Sequence, residues 1–258
     1  MLLAIDVGNT QTVIGLYGNG AHSHELTDHW RVATKAERTS DEHALLIQEF
    51  LAFAGHNWKT AIGGVAISSG VPTVTYELRR MCEQYLNLEP VVLGAGVKTG
   101  MAVLYDNPKE VGADRIANAV GAFDLYGGPT IVVDFGTATT FDVISEKGEY
   151  LGGAIVPGIE ISLDALFGRA AALRQVELIE PRSVIGKTTV ESIQSGTIYG
   201  YSSLIDGMCE RIEEHTGDAT VIATGGLADL IAGVSEAIEH VEPWLTLHGL
   251  RLIWIKNQ

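Results

Sequence analysis

Leu3-Ala4-Ile5-Asp6-Val7-Gly8-Asn9-Thr10 and Ile131-Val132-Val133-Asp134-Phe135-Gly136-Thr137 are the two stretches whose reading decides the fold. In each, an apolar run ends in Asp-x-Gly and a threonine comes after it: Asp6, Gly8 and Thr12 in the first, Asp134, Gly136 and Thr140 in the second. The offset is 128 residues, almost half of a 258-residue chain. A second apolar run succeeds the first turn, Val13–Tyr17, and ends at Gly18-Asn19-Gly20. Strand, tight polar turn and strand make a β-hairpin signature. Two such hairpins at half-length spacing predict a duplicated α/β domain. A third apolar run with a glycine turn, Val221-Ile222-Ala223-Thr224-Gly225-Gly226, belongs to the same pattern.

Outward from these turns, helices and strands alternate. Thr39-Ser40-Asp41-Glu42 reads as a helix start, with Ala44, Leu45, Ile47 and Leu51 spaced along one face. Val65–Ile67 and Val91–Leu93 read as strands and Thr73–Leu86 as a helix. Asn107-Pro108 through Asp114 is a turn that opens a helix to Tyr126, and further helices are expected over Gly158–Leu173 and Thr189–Glu214. The expected division is residues 1–115 and 116–258, with the last helix packing back on the first domain.

Composition excludes several function classes. Apolar residues make up 46% and charged residues 19%, an ordinary globular balance that rules out disorder. The formal charge is −15, with −5 on residues 1–129 and −10 on residues 130–258. Neither half is a basic module, so nucleic-acid binding through phosphate contacts is not expected. An acidic shell also repels anionic substrates at long range, so any phosphate must be held by local groups. Cys82 and Cys209 stand alone, which excludes a zinc site or a disulfide framework. The N-terminus lacks a basic leader, and the longest uncharged stretch, Thr60–Tyr76, is broken by glycines, serines and Pro72. A cytoplasmic chain without membrane contact is the expectation.

Three tempting motifs fail. Gly186-Lys187-Thr188 has Pro181 where a phosphate-binding P-loop needs glycine. Gly94-Ala95-Gly96 has Thr99 where the dinucleotide fingerprint needs its third glycine. Neither serine of Ser68-Ser69-Gly70 has a glycine two residues before it, so there is no nucleophile elbow. His22 and His24 sit at a hairpin tip without further ligands at metal spacing and read as surface residues.

Two constellations survive. Glycine lets backbone approach a phosphate and bend sharply, and the turn N–H groups with the Thr10, Thr12 and Thr137 hydroxyls can donate to phosphate oxygens. A carboxylate there repels phosphate unless a cation intervenes, so Asp6 and Asp134 suggest cation sites. The bland alternative is that each aspartate caps its hairpin turn. In Gly112-Ala113-Asp114-Arg115, Asp114 lies near a helix start, where a carboxylate is stabilised as the anion and can accept a proton from an attacking hydroxyl. Arg115 could pair with a substrate carboxylate. The competing reading makes Asp114 an ordinary N-cap and Arg115 a solvated side chain.

Asp6-Val7-Gly8-Asn9-Thr10, Asn107-Pro108 with Gly112-Ala113-Asp114-Arg115, Asp134-Phe135-Gly136-Thr137 and Gly152-Gly153-Ala154-Ile155-Val156-Pro157-Gly158 together resemble the type III pantothenate kinases, members of the actin/hexokinase-like phosphotransferase superfamily. The resemblance covers nearly the whole chain. It implies an α/β fold of duplicated ribonuclease H-like (actin-like ATPase) domains, with mixed sheets flanked by helices. It also implies transfer of the γ-phosphoryl group of ATP to the pantothenate hydroxyl, giving 4′-phosphopantothenate, the first step toward coenzyme A. On the matching positions, Asp6, Val7, Gly8, Asn9, Thr10, Gln11, Thr12 and Val13 correspond to the ATP phosphate loop and Thr137 to a further ATP contact. Asp114 corresponds to the proton acceptor. Tyr105, Gly112, Ala113, Asp114, Arg115 and Thr189 correspond to pantothenate contacts. The implied cofactors are Mg²⁺, near Asp6 through water, and K⁺ or NH₄⁺ on Asp134. The implied assembly is a homodimer, for which the apolar segment Gly158–Leu173 is a candidate surface. Two other functions fit the same fold: a nucleotide-binding regulatory or accessory protein, and a kinase for another small hydroxylated metabolite. A degenerate, non-enzymatic relative would have lost Asp6 or Asp114, and both are present.

Overall fold

The computed structural model describes residues 1–20, 23–170 and 172–258. His22 therefore lies outside the described residues, and His24 is exposed beside Glu25. Along the chain run β1 (Leu2–Val7), β2 (Gln11–Tyr17), β3 (Leu26–Ala33), α1 (Ser40–Phe53), α2 (Trp58–Ala61), β4 (Gly64–Ser69) and α3 (Pro72–Met81), the last continuing as a π-helical turn over Cys82–Leu86. Next come β5 (Val91–Val92), β6 (Ala102–Val103), α4 (Ala113–Tyr126), β7 (Thr130–Phe135), β8 (Ala138–Ile144) and β9 (Glu149–Pro157). The chain closes with α5 (Ile159–Arg169), α6 (Thr189–Thr216), β10 (Thr220–Gly225), α7 (Ala228–Ala232), β11 (His240–Val241) and α8 (Leu245–Ile255).

Two compact units result. One comprises Met1–Gly100, Asp106–Gly121 and Thr246–Gln258; the other comprises Met101–Tyr105 and Ala122–Leu245. The first holds a sheet in the order β3-β2-β1-β4-β5, the second a sheet in the order β11-β10-β7-β8-β9-β6. The duplication is visible in the pairing. In each unit the Asp-bearing strand pairs antiparallel with the next strand and parallel with a later one: β1 with β2 and β4, β7 with β8 and β10.

The repeat is one residue out of step at its end. The β1–β2 turn is Gly8-Asn9-Thr10 and the β7–β8 turn is only Gly136-Thr137. Thr12 consequently opposes Val7, whereas Thr140 opposes Asp134. A one-residue difference in a strand moves a side chain to the opposite face. The spatial counterpart of Thr12 is thus Thr139, and both are buried.

In the first unit, Leu3, Ile5, Val7, Val65 and Ile67 point to a core closed by Ile47 and Leu51 of α1 and Val74 and Leu78 of α3. The other sheet face carries small residues at its centre, Ala4, Gly15, Gly64 and Ala66. A Cβ added at Gly15 or Gly64 would run into Leu247 or Trp254, so this face lies under α8. α8 in turn meets α4 at Gly249, where any Cβ would overlap the Ala117 carbonyl group, and Thr246 Oγ1 donates to Asn118 Oδ1 at 2.7 Å. The second unit buries Ile131, Val133, Phe141, Val221 and Ala223 against Ile205 of α6 and Ile231 of α7.

Several elements differ from the sequence expectation, the short α2, β6, α7 and β11 among them. β3 and β9 are not legible as strands in the sequence, because the half-buried face of β3 includes Asp28 beside Leu26, Trp30 and Val32 and β9 contains Gly152-Gly153. The helix expected over Gly158–Leu173 ends at Arg169. No helix among the described residues is long and apolar enough to cross a membrane.

Candidate active site

In the first unit, β1 delivers Asp6, half-buried, to the mouth of the Gly8–Thr10 turn. Gly8 N–H donates to Gln11 O at 3.0 Å, and a Cβ on Gly8 would press on that same oxygen. The turn is braced from β3 by Thr34. Its N–H donates to Thr10 O at 2.9 Å, and its hydroxyl donates to Gly8 O at 2.8 Å. The Thr12 hydroxyl lies 2.8 Å from the Thr34 hydroxyl. Each hydroxyl has a single proton, so Thr12 is the donor in that pair. Thr12 is 4% exposed, and its hydroxyl serves the brace. Thr34 escaped sequence reasoning because a lone threonine at a strand end carries no local signal.

Asp114 stands in the first turn of α4 and is exposed. The approach is shaped by Asn107, whose side-chain amide donates to Glu110 Oε1 at 2.7 Å around a 3₁₀ turn over Pro108–Glu110. Asp114 Oδ1 accepts the Arg115 N–H at 2.9 Å, one of the donors that a helix start leaves without an intrahelical partner. That oxygen lies so close to Gly112 that a Cβ there would collide with it unless the carboxylate moved. Arg115 is only 8% exposed, so it is not the solvated side chain of the bland reading.

In the second unit, Asp134 closes β7 and Thr137 sits in the turn after it, with Gly136 N–H donating to Ala138 O at 3.1 Å. Gly158, the N-cap of α5, donates its N–H to Thr137 O at 3.1 Å, and a Cβ there would overlap the Gly136 and Thr137 carbonyls. No side chain caps the first turn of α5, so its N–H groups are suited to an anion. Gly225, at φ +95°, ends β10 against Asp134: a Cβ there would stand 2.8 Å from Asp134 Oδ1. Two backbone turns and one carboxylate thus converge at the ends of β7 and β10.

Tyr105 and Thr189 lie on separate elements of this unit. Tyr105 comes just after β6, its ring over Gly152. Thr189 opens α6, exposed behind the N-cap Thr188, whose hydroxyl accepts the Glu191 N–H at 3.1 Å. It stands at the rim of a pocket of about 440 Å³ between α5 and α6, lined also by Leu163, Leu166, Ile193 and Tyr201.

Cys82 and Cys209 are buried, and burial pushes both thiols up to about 12, which excludes a thiolate nucleophile. Among the described residues no group of three or more His, Cys, Asp or Glu side chains could hold a metal by itself. The donor set still fits Mg²⁺, which takes one or two carboxylates and completes its shell with water and substrate phosphates.

A type III pantothenate kinase from Streptomyces griseus is 53% identical to this chain, over 100% of this chain and 98% of that protein. One from Moorella thermoacetica is 52% identical over 100% of both. Among solved structures, the activator of the 2-hydroxyisocaproyl-CoA dehydratase from Clostridium difficile, with bound ADPNP, is similar with a TM-score of 0.59 at 11% identity, covering 99% of this chain and 94% of that one. At that identity the likeness concerns the fold, the actin-like ATPase fold of two mixed sheets flanked by helices. With residues 2–211 matching the family as well, the chain belongs to the type III pantothenate kinases.

Proposed function

We propose that this protein transfers the γ-phosphoryl group of ATP to pantothenate, opening the route to coenzyme A. The observation that carries this reading is the full-length likeness to type III pantothenate kinases together with Asp114 presented on the first turn of α4. Phosphoryl transfer asks a protein for positioning and charge neutralisation rather than covalent chemistry. Asp6 through Val13 form the loop that receives the ATP phosphates, and Thr137 is a second ATP contact. Asp114 accepts the proton of the attacking hydroxyl. Arg115 holds the pantothenate carboxylate, with Gly112, Ala113, Tyr105 and Thr189 as further contacts. A divalent ion bound with ATP supplies neutralisation of the phosphate charge, and Asp6 holds it through water. Asp134, flanked by the Gly225 and Gly136 backbone, holds K⁺ or NH₄⁺.

The protein works as a homodimer in the cytoplasm, where its nucleotide substrate is made. Support for the dimer comes from α5, where the apolar Ile161 and Leu166 are 42% and 41% exposed. Light scattering that returns a monomer mass at micromolar concentration removes this assembly.

The activity is tested by ADP release across pantothenate and a few sugars, with Asp114→Asn alongside. Pantothenate alone should support turnover, and Asp114→Asn should lower kcat by roughly 10²–10⁴ with the fold and ATP affinity retained. Near-normal turnover in that variant, or preference for a sugar, overturns the proposal.

A further inference from the structure

We infer that Asp142 and Tyr150, buried side chains with no part in the site above, are positioning residues that hold Tyr105 in place for the acceptor substrate. The inference rests on the reading of Tyr105 as a pantothenate contact, and it names what makes that contact possible.

Tyr105 has little of its own to hold it. β6, the strand before it, is two residues long and joins the sheet only at its edge, pairing Ala102 with Glu149 and Val103 with Tyr150. A strand so short fixes the direction of the chain but not that of a side chain two residues beyond it. The two residues beyond the strand are tied to Tyr150. Leu104 N–H donates to Tyr150 O at 2.8 Å, and the Tyr105 ring tilts against the Tyr150 ring, at a centroid distance of 6.4 Å and 53° between planes. This is within the range of favourable edge-on aromatic pairs. The other wall of the slot is Gly152. A Cβ there would stand 3.6 Å from the Tyr105 ring, and the φ of +130° admits little but glycine.

Tyr150 in turn is held hard. It is 0% exposed, and its hydroxyl donates to Asp142 Oδ1 at 2.7 Å. Asp142 is equally buried, and its other oxygen lies 3.3 Å from the Thr140 hydroxyl. A buried carboxylate is costly unless well bonded, and a core position of this kind is ordinarily filled by an apolar side chain at less cost. A phenol anchored at its far end cannot slide or rotate out of plane, so its ring presents a rigid floor. β8 and β9 carry a register shift between Val143 and Ile144, and Gly152 opposes Val143 while Tyr150 opposes Ile144. Tyr150 and Gly152, two residues apart on β9, share one face of the strand and form the two sides of the slot for Tyr105. A chain of contacts therefore runs from Thr140 and Asp142 through Tyr150 to Tyr105. Supporting contacts of this sort hold a substrate-binding side chain in its productive position.

The test is steady-state kinetics on the intact enzyme with Tyr105→Ala, Tyr150→Phe, Asp142→Asn and the double variant Tyr105→Ala/Tyr150→Phe, each with a thermal melt. Tyr150→Phe keeps the ring and removes the anchor. It should raise KM for pantothenate about fivefold or more, with kcat and KM for ATP within twofold, and the double variant should show the KM of Tyr105→Ala alone. Asp142→Asn keeps an acceptor for the phenol and should fall between wild type and Tyr150→Phe. If Tyr105→Ala raises KM for pantothenate but Tyr150→Phe lowers only the melting temperature, the pair is merely structural and the inference is overturned. If Tyr150→Phe does not fold, Asp142→Asn decides by the same criterion. If Tyr105→Ala itself leaves KM for pantothenate unchanged, Tyr105 is no acceptor contact and both readings fall.

Discussion

Thr34→Val is the sharpest probe of the Gly8–Thr10 turn, proposed above as the phosphate loop, because valine keeps the shape of the side chain and removes only its hydroxyl. Two hydrogen bonds are lost, to Gly8 O and from the Thr12 hydroxyl, each 2.8 Å long in the native protein. Gly8 is partly exposed, so water recovers much of what its carbonyl loses, and that bond costs about 0.5–1.5 kcal/mol. The Thr12 hydroxyl is buried and keeps a proton with nowhere to go, at about 1–2 kcal/mol. A total near 2–3 kcal/mol corresponds to a fall in Tm of about 5–10 °C in a chain of this size. About 1 kcal/mol of it concerns the turn itself, so KM for ATP should rise about fivefold while KM for pantothenate holds. A thermal melt and ADP release under ATP titration read both effects. Two controls sharpen the case: Thr34→Ser keeps both bonds and should behave as wild type, and Thr12→Val/Thr34→Val leaves no orphan donor and should recover part of the lost stability. Unchanged Tm and ATP KM in Thr34→Val would refute the brace.

Four further outcomes are expected. Arg115→Ala should raise KM for pantothenate far more than KM for ATP; a rise in the ATP constant alone removes its role as carboxylate anchor. Activity should require K⁺ or NH₄⁺ in addition to Mg²⁺, and full activity in Na⁺ alone removes the role of Asp134. Burial lowers His43 on α1 from 6.5 to about 4, with Arg38 adding to the effect and Glu42 and Glu77 opposing it. The unfolded chain therefore takes up a proton that the folded chain refuses, so stability present above pH 6.5 is lost as pH falls toward 4, by about 2 kcal/mol at pH 5; urea titrations should show His43→Leu with a flatter acid limb, and an equal slope in both proteins counts against it. Gly249→Ala places a methyl group on the Ala117 carbonyl where α8 crosses α4, and urea unfolding should show a loss of at least about 1–3 kcal/mol, since backbone cannot yield as a side chain can.

The two Asp-x-Gly turns and their spacing sufficed to read the duplicated α/β fold and the positions of Asp6, Asp134 and Thr137 on turns, and Gly112-Ala113-Asp114-Arg115 to read Asp114 at a helix start. Turn chemistry and helix starts are local: the residues that make a Gly8 or Gly136 turn, or that precede α4 at Gly112, are neighbours in the chain, and the penalty for a wrong residue there falls within a few positions. The tertiary structure alone decided what lies around those points. It showed that the matched threonines of the repeat sit one step apart, because one turn is a residue longer than the other. It brought Thr34 to Gly8 across 26 residues and Thr246 to Asn118 across 128. It buried Arg115 beside the exposed Asp114, and placed Asp142 and Tyr150 beneath Tyr105. Such pairings join side chains distant in sequence through sheet register and helix crossing, and no pattern of neighbouring residues encodes a distance between elements that meet only when the chain has folded.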